Sequence, residues 1–327
     1  MRAIEVRTFG GPEVLVPTEL EAPIPAPEQV VIAVAAADII YLDTLLRAGW
    51  GKERFPRPLP YVPGGGVAGT VIAAGADVAR SWIGKRVVAR TAGGYAAQVS
   101  AAAQDLVEIP LGLSFEVAAA MIHDGVSALQ FFDLGEVRHG DWVLVVAAAG
   151  GAGSILVQLA RLAGARVIAA ARGPEKLALA GELGAEVVVD YSEPGWNARV
   201  RDATAGPGVV VTFDGAGGSL GREAFAVTSA GGRFVTYGTA AGGMSNIDPA
   251  EAAARDVRVV NPLLAPPRPK ALVLRLLRQA LELAAEGTIR PHIGATYPLE
   301  RAAEAHAALA DRRVVGKSLL LIGDQQT

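Results

Sequence analysis

The chain of 327 residues contains no cysteine. Disulfides, thiolate nucleophiles, iron–sulfur clusters and cysteine-ligated zinc are therefore excluded. Histidine is scarce too: only His123, His139, His292 and His306 are present, none at metal-ligand spacing. A zinc site built from distant histidines and carboxylates is the one metal reading left open. No excess of either charge exists, with 30 Lys and Arg against 33 Asp and Glu and a net charge of −3. The chain is thus expected to bind no nucleic acid and to carry no polyanionic tail. No apolar run approaches the length of a membrane span. The opening Met1-Arg-Ala-Ile-Glu-Val-Arg carries charge where a signal peptide would be apolar. A cytoplasmic protein with no membrane partner is expected.

What is present is ample core material: 51% of residues are hydrophobic, and the length suggests two domains. The most informative stretch runs from Trp142 through Val143-Leu-Val-Val-Ala-Ala-Ala-Gly-Gly-Ala-Gly153. A buried strand leads directly into glycines that open the apolar-faced helix starting at Ser154-Ile-Leu-Val. Such a bend suits a dinucleotide pyrophosphate, because missing Cβ atoms let backbone approach the phosphates while open amides at the helix start face the anion. Of the fingerprint G-x-G-x-x-G, Gly150 and Gly153 fill the later two positions and Ala148 the first. Ala149, Gly150, Gly151, Ala152 and Gly153 are the candidate phosphate contacts. The competing reading is a glycine turn without a ligand.

The second strand of the unit selects the dinucleotide. NAD sites place a carboxylate roughly 20 residues past the glycines, whereas NADP sites place a cation there. Nineteen residues beyond Gly153 stands Arg172, with no acid in the preceding Val167-Ile-Ala-Ala-Ala. Lys176 follows one helical turn later, and Tyr191 ends the next apolar run, Val187-Val-Val-Asp-Tyr. Guanidinium, ammonium and phenol are groups that a 2′-phosphate recruits, so NADPH is the expected cofactor. A solvated strand end and helix face is the alternative for the two cations.

The fold class expected is α/β. Short strands at Ala3 to Thr8, Gln29 to Ala36, Ala68 to Ala74, Arg86 to Ala89 and Tyr95 to Ser100, with Pro-rich connectors such as Ala22-Pro-Ile-Pro-Ala-Pro, predict a small twisted β domain. From Phe115 onward helices alternate with buried strands at Val143 to Ala148, Val167 to Ala171, Val187 to Asp190, Val209 to Phe213, Arg233 to Tyr237 and Val257 to Val260. Six such strands predict a doubly wound parallel sheet of Rossmann type. A helix from Lys270 to Glu286, a short strand near Ala295 to Tyr297, a helix from Leu299 to Ala310 and a strand from Lys317 to Ile322 are expected to return to the β domain.

Taken in order, these segments resemble the zinc-independent quinone oxidoreductase, or zeta-crystallin-like, branch of the medium-chain dehydrogenase/reductases. Phe9-Gly-Gly-Pro-Glu-Val-Leu is similar to its first hairpin, and Leu59-Pro-Tyr-Val-Pro-Gly-Gly-Gly-Val-Ala-Gly-Thr-Val to its P-y-x-P-G-x-E-x-A-G-x-V segment. Gly94-Tyr-Ala resembles the G-x-Y-A-E turn, Ala147-Ala-Ala-Gly-Gly-Ala-Gly the A-A-x-G-G-x-G loop, Thr212-Phe-Asp-Gly-Ala-Gly the V-x-D-x-V-G stretch, and Gly232 to Gly238 the G-R-x-V-x-x-G stretch. The resemblance implies a GroES-like β domain over 1–116 and 262–327, a Rossmann NADPH-binding domain over 117–261, and an active cleft between them. It implies hydride transfer from NADPH to a small quinone or similar electron-poor carbonyl, and a homodimer paired through the nucleotide domain. It also assigns Ser127, Tyr237, Gly238 and Lys317 to the cofactor.

Two positions depart from the pattern. Ile40 stands where the branch often has an asparagine lining the pocket, and Gly66 replaces the acid of P-G-x-E. Hydride reduction of a quinone needs alignment above all, since water protonates the product oxyanion. Ile40, Trp50 and Tyr61 are the candidate pocket residues, with Tyr41 and His123 as candidate hydrogen-bond or proton donors. For each, an ordinary structural role is the alternative. Competing functions are an enone or enoyl reductase using the same cofactor, a zinc alcohol dehydrogenase, and an NADPH-binding protein without catalysis.

Overall fold

A computed structural model describes residues 1–53, 56–266 and 268–322, so the last five residues of the expected 262–327 segment lie outside the described residues. The chain divides into two compact units, Met1–Gly125 with Ala271–Thr327, and Val126–Lys270. The divisions expected after 116 and 261 thus move to 125 and 270. The first shift has a local cause. Helix Phe115–Met121, capped by Ser114 Oγ accepting from the Val117 amide at 3.2 Å, packs on strands Gln29–Ile39, Val67–Ala74 and Lys317–Leu321 of the first unit.

In the first unit, described strands form a sheet in the order Ile293–Pro298, Lys317–Leu321, Gln29–Ile39, Val67–Ala74, Arg86–Ala89, Leu106–Glu108, with Gln98–Ala102 also paired to Gln29–Ile39. Strand Lys317–Leu321 runs antiparallel to Gln29–Ile39 and sets Leu319 opposite Asp38, so the C-terminal segment returns to the β unit as its pattern requires. A separate hairpin pairs Arg2–Val6 with Leu15–Glu19. The long strand Gln29–Ile39 is buried over most of its length because it is covered on both faces, and its Val and Ile run reads accordingly. Ile4, Ile32, Ile39, Val67, Val87, Leu299 and Leu320 lie in the core of this unit.

The second unit carries a parallel sheet in the order Val187–Asp190, Arg166–Ala171, Trp142–Val146, Val209–Asp214, Thr228–Thr236, Arg258–Val260. This is the doubly wound order in which the chain reverses direction of growth beside its first strand. The switch point lies between Trp142–Val146 and Val209–Asp214, whose carboxyl ends lead into glycine loops. Strand Thr228–Thr236 begins five residues before the expected Arg233. Its early part is joined through a register shift opposite Val209 and Val211, at Gly231 and Gly232, which periodicity does not reveal.

Candidate active site

The glycine loop of the second unit is built around one strained residue. Ala147, directly after strand Trp142–Val146, takes the left-handed conformation with φ 60°. An alanine there costs about 1–2 kcal/mol against the right-handed region. The Gly150 amide donates to the Ala147 carbonyl at 3.0 Å and holds the turn. A Cβ on Gly153 would come 2.4 Å from that same oxygen, so glycine at 153 is demanded by close backbone approach. Helix Gly151–Leu162 then starts with Gly150 in extended conformation as its N-cap and no side-chain cap. The amides of Gly151, Ala152 and Gly153 have no intrahelical acceptor and are directed out of the helix start, where the dipole favours an anion. Ala149 is buried, with Gly150, Gly151 and Ala152 half-buried beside it.

Strand Arg166–Ala171 delivers Arg172 to an exposed position at its carboxyl end. Asp190 does not compete for a ribose there: its Oδ2 accepts from the Gly173 amide at 2.9 Å and its Oδ1 from the Ser192 amide at 2.8 Å. Burial opposes the Asp190 carboxylate, but these hydrogen bonds and the Arg172 charge hold its pKa below the usual value. Lys176 is half-buried on helix Pro174–Glu182, and Tyr191 is half-buried with its ring edge-on to Trp196 at 6.5 Å.

Across the switch point, Asp214 ends strand Val209–Asp214 fully buried. Its Oδ1 accepts from the amides of Ala216 and Gly217 at 3.1 and 2.8 Å, and its Oδ2 from Thr236 Oγ1 at 2.9 Å. Burial raises its pKa against these bonds. The network ties the 215–217 turn to the loop after strand Thr228–Thr236, and a Cβ on Gly238 would clash at 1.8 Å with the Gly215 carbonyl. Tyr237 stacks on Phe131 with ring centroids 4.3 Å apart. Ser127 is half-buried on helix Asp124–Gly135. Asp214 escaped the sequence reading as a clamp between loops; the signal for it is a carboxylate at the end of an apolar run, which requires partners.

In the first unit, His123 Nδ1 lies 2.6 Å from Asp38 Oδ2. Lys317, which the resemblance assigns to the cofactor, directs its ammonium to Asp38 Oδ1 and to Asp124 Oδ2, the latter at 2.8 Å. Asp38 and Lys317 are 0% and 4% exposed at the side chain. Burial penalises the Asp38 carboxylate, yet Lys317 and His123 outweigh it and hold its pKa below the ordinary value. Burial likewise penalises the Lys317 ammonium, and Asp124 with Asp38 more than restores it, raising its pKa. Asp38 and Asp124 escaped the sequence reading. The signal was there: Asp38 interrupts Val30-Val-Ile-Ala-Val-Ala-Ala-Ala, and a charge inside a buried strand requires a partner.

A second polar chain lies nearby in the same unit. Asp43 Oδ2 accepts from the Ile40 amide at 3.0 Å, closing the start of helix Tyr41–Arg47. It also accepts from Tyr95 Oη at 3.4 Å, and Tyr95 Oη is 3.0 Å from His306 Nε2. Burial lifts the Asp43 pKa to about 6 and, with the Arg47 charge, pushes that of His306 down to about 3. Among the expected pocket residues, Tyr41 is half-buried at the helix start, Tyr61 bridges Val6 in the backbone, and Trp50 is half-exposed. Burial and the nearby Asp43 charge raise the Tyr61 pKa. Among the described residues, no group of three or more His, Asp or Glu is arranged to hold a metal ion, and no helix is long and apolar enough to cross a membrane.

Comparison with known proteins matches residues 26–113 to the alcohol dehydrogenase GroES-like domain and residues 151–279 to the zinc-binding dehydrogenase family. A quinone oxidoreductase of Pseudomonas aeruginosa is 31% identical over 98% of this chain and 99% of its own length. The structure of Escherichia coli quinone oxidoreductase complexed with NADPH superposes with a TM-score of 0.90 at 28% identity, covering 98% of this chain and 100% of that one. A mycobacterial structure complexed with NADPH gives a TM-score of 0.88 at 33% identity, covering 98% and 100%.

Proposed function

We propose, since this chain belongs to the quinone oxidoreductase branch of the medium-chain dehydrogenase/reductases, that it is an NADPH-dependent oxidoreductase reducing a quinone or similar electron-poor carbonyl. The observation that carries the reading is the combination of the open helix start at Gly151–Gly153 with exposed Arg172 at the end of the adjacent parallel strand. The cradle fits the cofactor, because Gly153 leaves backbone-only walls where any side chain would collide with Ala147. The amides of Gly151, Ala152 and Gly153 would hold the pyrophosphate, with Ala149 and Gly150 shaping the bend. Arg172 would meet the 2′-phosphate, with Lys176 and Tyr191 beside it. Tyr237, Gly238 and Ser127 would border the rest of the dinucleotide. NADPH supplies the hydride; the chain's residues bind, orient and exclude water.

The reading needs no zinc, which the absence of cysteine supports. It includes a cytoplasmic homodimer, for which the family resemblance is the support. Ile40, Tyr41, Trp50 and Tyr61 remain the proposed acceptor contacts. A steady-state survey of NADPH and NADH oxidation with ortho-quinones, para-quinones and 2-alkenals tests the activity, and sedimentation tests the dimer. NADPH-driven turnover of at least one acceptor class is expected. Tight NADPH binding without turnover of any acceptor would instead mark a non-catalytic nucleotide-binding protein.

A further inference from the structure

We infer that Lys317, Asp38 and His123 form a positioning relay in which His123 Nε2–H is the general acid for the reduced acceptor, while Asp38 and Lys317 hold the ring without passing a proton. The inference rests on the reductase reading above. It begins with an energetic oddity: a nearly solvent-free Lys–Asp pair is seldom more stable than an apolar pair of the same volume. What apolar residues lack is the ability to keep Asp38 ionised. An ionised carboxylate only accepts hydrogen bonds, so at 2.6 Å the Nδ1 of His123 must carry the proton that faces it. That fixes the ring and leaves Nε2 as the working nitrogen.

Nε2 has access. The imidazole side chain keeps 15% of its surface, and the ring edge faces Gly65, where even an added Cβ would stop 3.6 Å from Nε2. Further groups act on the relay electrostatically: Asp124 on Lys317, Arg90 through its charge on Asp38, and Asp43 of helix Tyr41–Arg47 through its charge on His123.

The step balances without another reagent. When an α,β-unsaturated carbonyl takes the hydride at its β-carbon, with NADPH oxidised to NADP+, it becomes an enolate. The Nε2–H bond of imidazolium breaks and an O–H bond forms on the enolate. Neutral imidazole remains with Nδ1–H on Asp38 and regains its proton from water, and the enol ketonises in solvent. A hydroquinone anion is far less basic than an enolate and depends less on such a donor.

The test compares an enone and a para-quinone as acceptors for the wild type and for His123→Gln, His123→Ala and Asp38→Asn. In His123→Gln, kcat with the enone should fall about a hundredfold or more, and with the quinone markedly less. NADPH affinity followed by fluorescence should hold within a factor of about two. Added imidazole should restore part of the enone activity of His123→Ala, and Asp38→Asn should alter the pH profile of kcat. Nitrogen-15 NMR should show the neutral form of His123, the state left after proton donation, protonated at Nδ1 alone, and a mixed tautomer in Asp38→Asn. Equal losses for both acceptors, no loss, or quinone turnover without any enone turnover in the wild type would overturn the relay alone. Absence of NADPH oxidation with every acceptor would remove the reductase reading and the relay with it. If Asp38→Asn does not fold, the His123 variants and the wild-type tautomer decide the matter.

Discussion

The imidazole of His123 occupies the space into which a side chain at position 66 would grow. A Cβ on Gly66 would lie 3.0 Å from His123 Cε1 and 2.9 Å from Ile122 Cγ2. Loss of the acid that the family pattern places at position 66 therefore goes together with a histidine ring packed over it. A side chain at position 66 and the His123 ring compete for one volume, which in this chain the histidine fills.

Gly66→Ala should crowd both neighbours and turn the ring away from Asp38. Destabilisation of about 1–3 kcal/mol is expected from overpacking, with a several-fold fall in turnover and unchanged NADPH affinity. Denaturant melts and steady-state kinetics check this. Wild-type turnover in a normally folded Gly66→Ala protein would contradict the geometry.

Arg172→Ala should weaken NADPH by about tenfold while leaving NADH nearly untouched, because a charge-assisted contact is made only when the 2′-phosphate is present. Lys176→Ala should shift the same ratio in the same direction. Titrating both cofactors against each variant is the measurement, and parallel weakening of NADH would reject the phosphate assignment.

Gly153→Val should abolish nucleotide binding and lower the melting temperature, since its Cβ would sit 2.4 Å from the Ala147 carbonyl of a turn already in left-handed conformation. Gly181→Ala is the matched control on helix Pro174–Glu182, where a Cβ meets nothing within 4 Å. That exposed helical position should gain a few tenths of a kcal/mol to about 1 kcal/mol.

His306 and Asp43 bias stability in opposite directions with pH. The pKa of His306 falls from 6.5 to about 3 on folding. Its contribution is full above 6.5 and is lost as pH drops towards 3. Asp43 rises from 3.8 to about 6, so its contribution is full below 3.8 and is lost as pH climbs through 6. His306→Gln should therefore be most destabilised near pH 7.5, with the gap to wild type narrowing steadily towards pH 5. Thermal melts of both proteins across that range check the sign, and a constant gap would show that His306 does not titrate as its burial requires.

Much of the architecture was legible because it is encoded by short-range pattern. The apolar runs Val143-Leu-Val-Val, buried throughout, and Val187-Val-Val, at the sheet edge with Val188 exposed, both lie in parallel strands, and strand Arg86–Ala89 lies where alternation and turn residues put it. The glycine loop was readable for the same reason, as strand, bend and helix start are consecutive. Details that depend on backbone conformation were less so. That Ala147 rather than Ala148 takes the left-handed turn follows from where strand Trp142–Val146 ends, and the early start of Thr228–Thr236 from a register shift.

By itself the amino-acid order determined the fold class, the glycine bend after strand Trp142–Val146 and the cation at the end of the next strand, because each is a property of neighbours in the chain. Tertiary structure alone decided that positions 38, 123, 124 and 317 share one charged cluster, and that 43, 95 and 306 share another. For Asp38 and Lys317 the grouping comes from pairing register, which sets Leu319 opposite Asp38 and so brings Lys317 near it, whereas Asp43, Asp124 and His306 are brought in by helices. Register is fixed by packing of the whole sheet, and no local window of sequence records it.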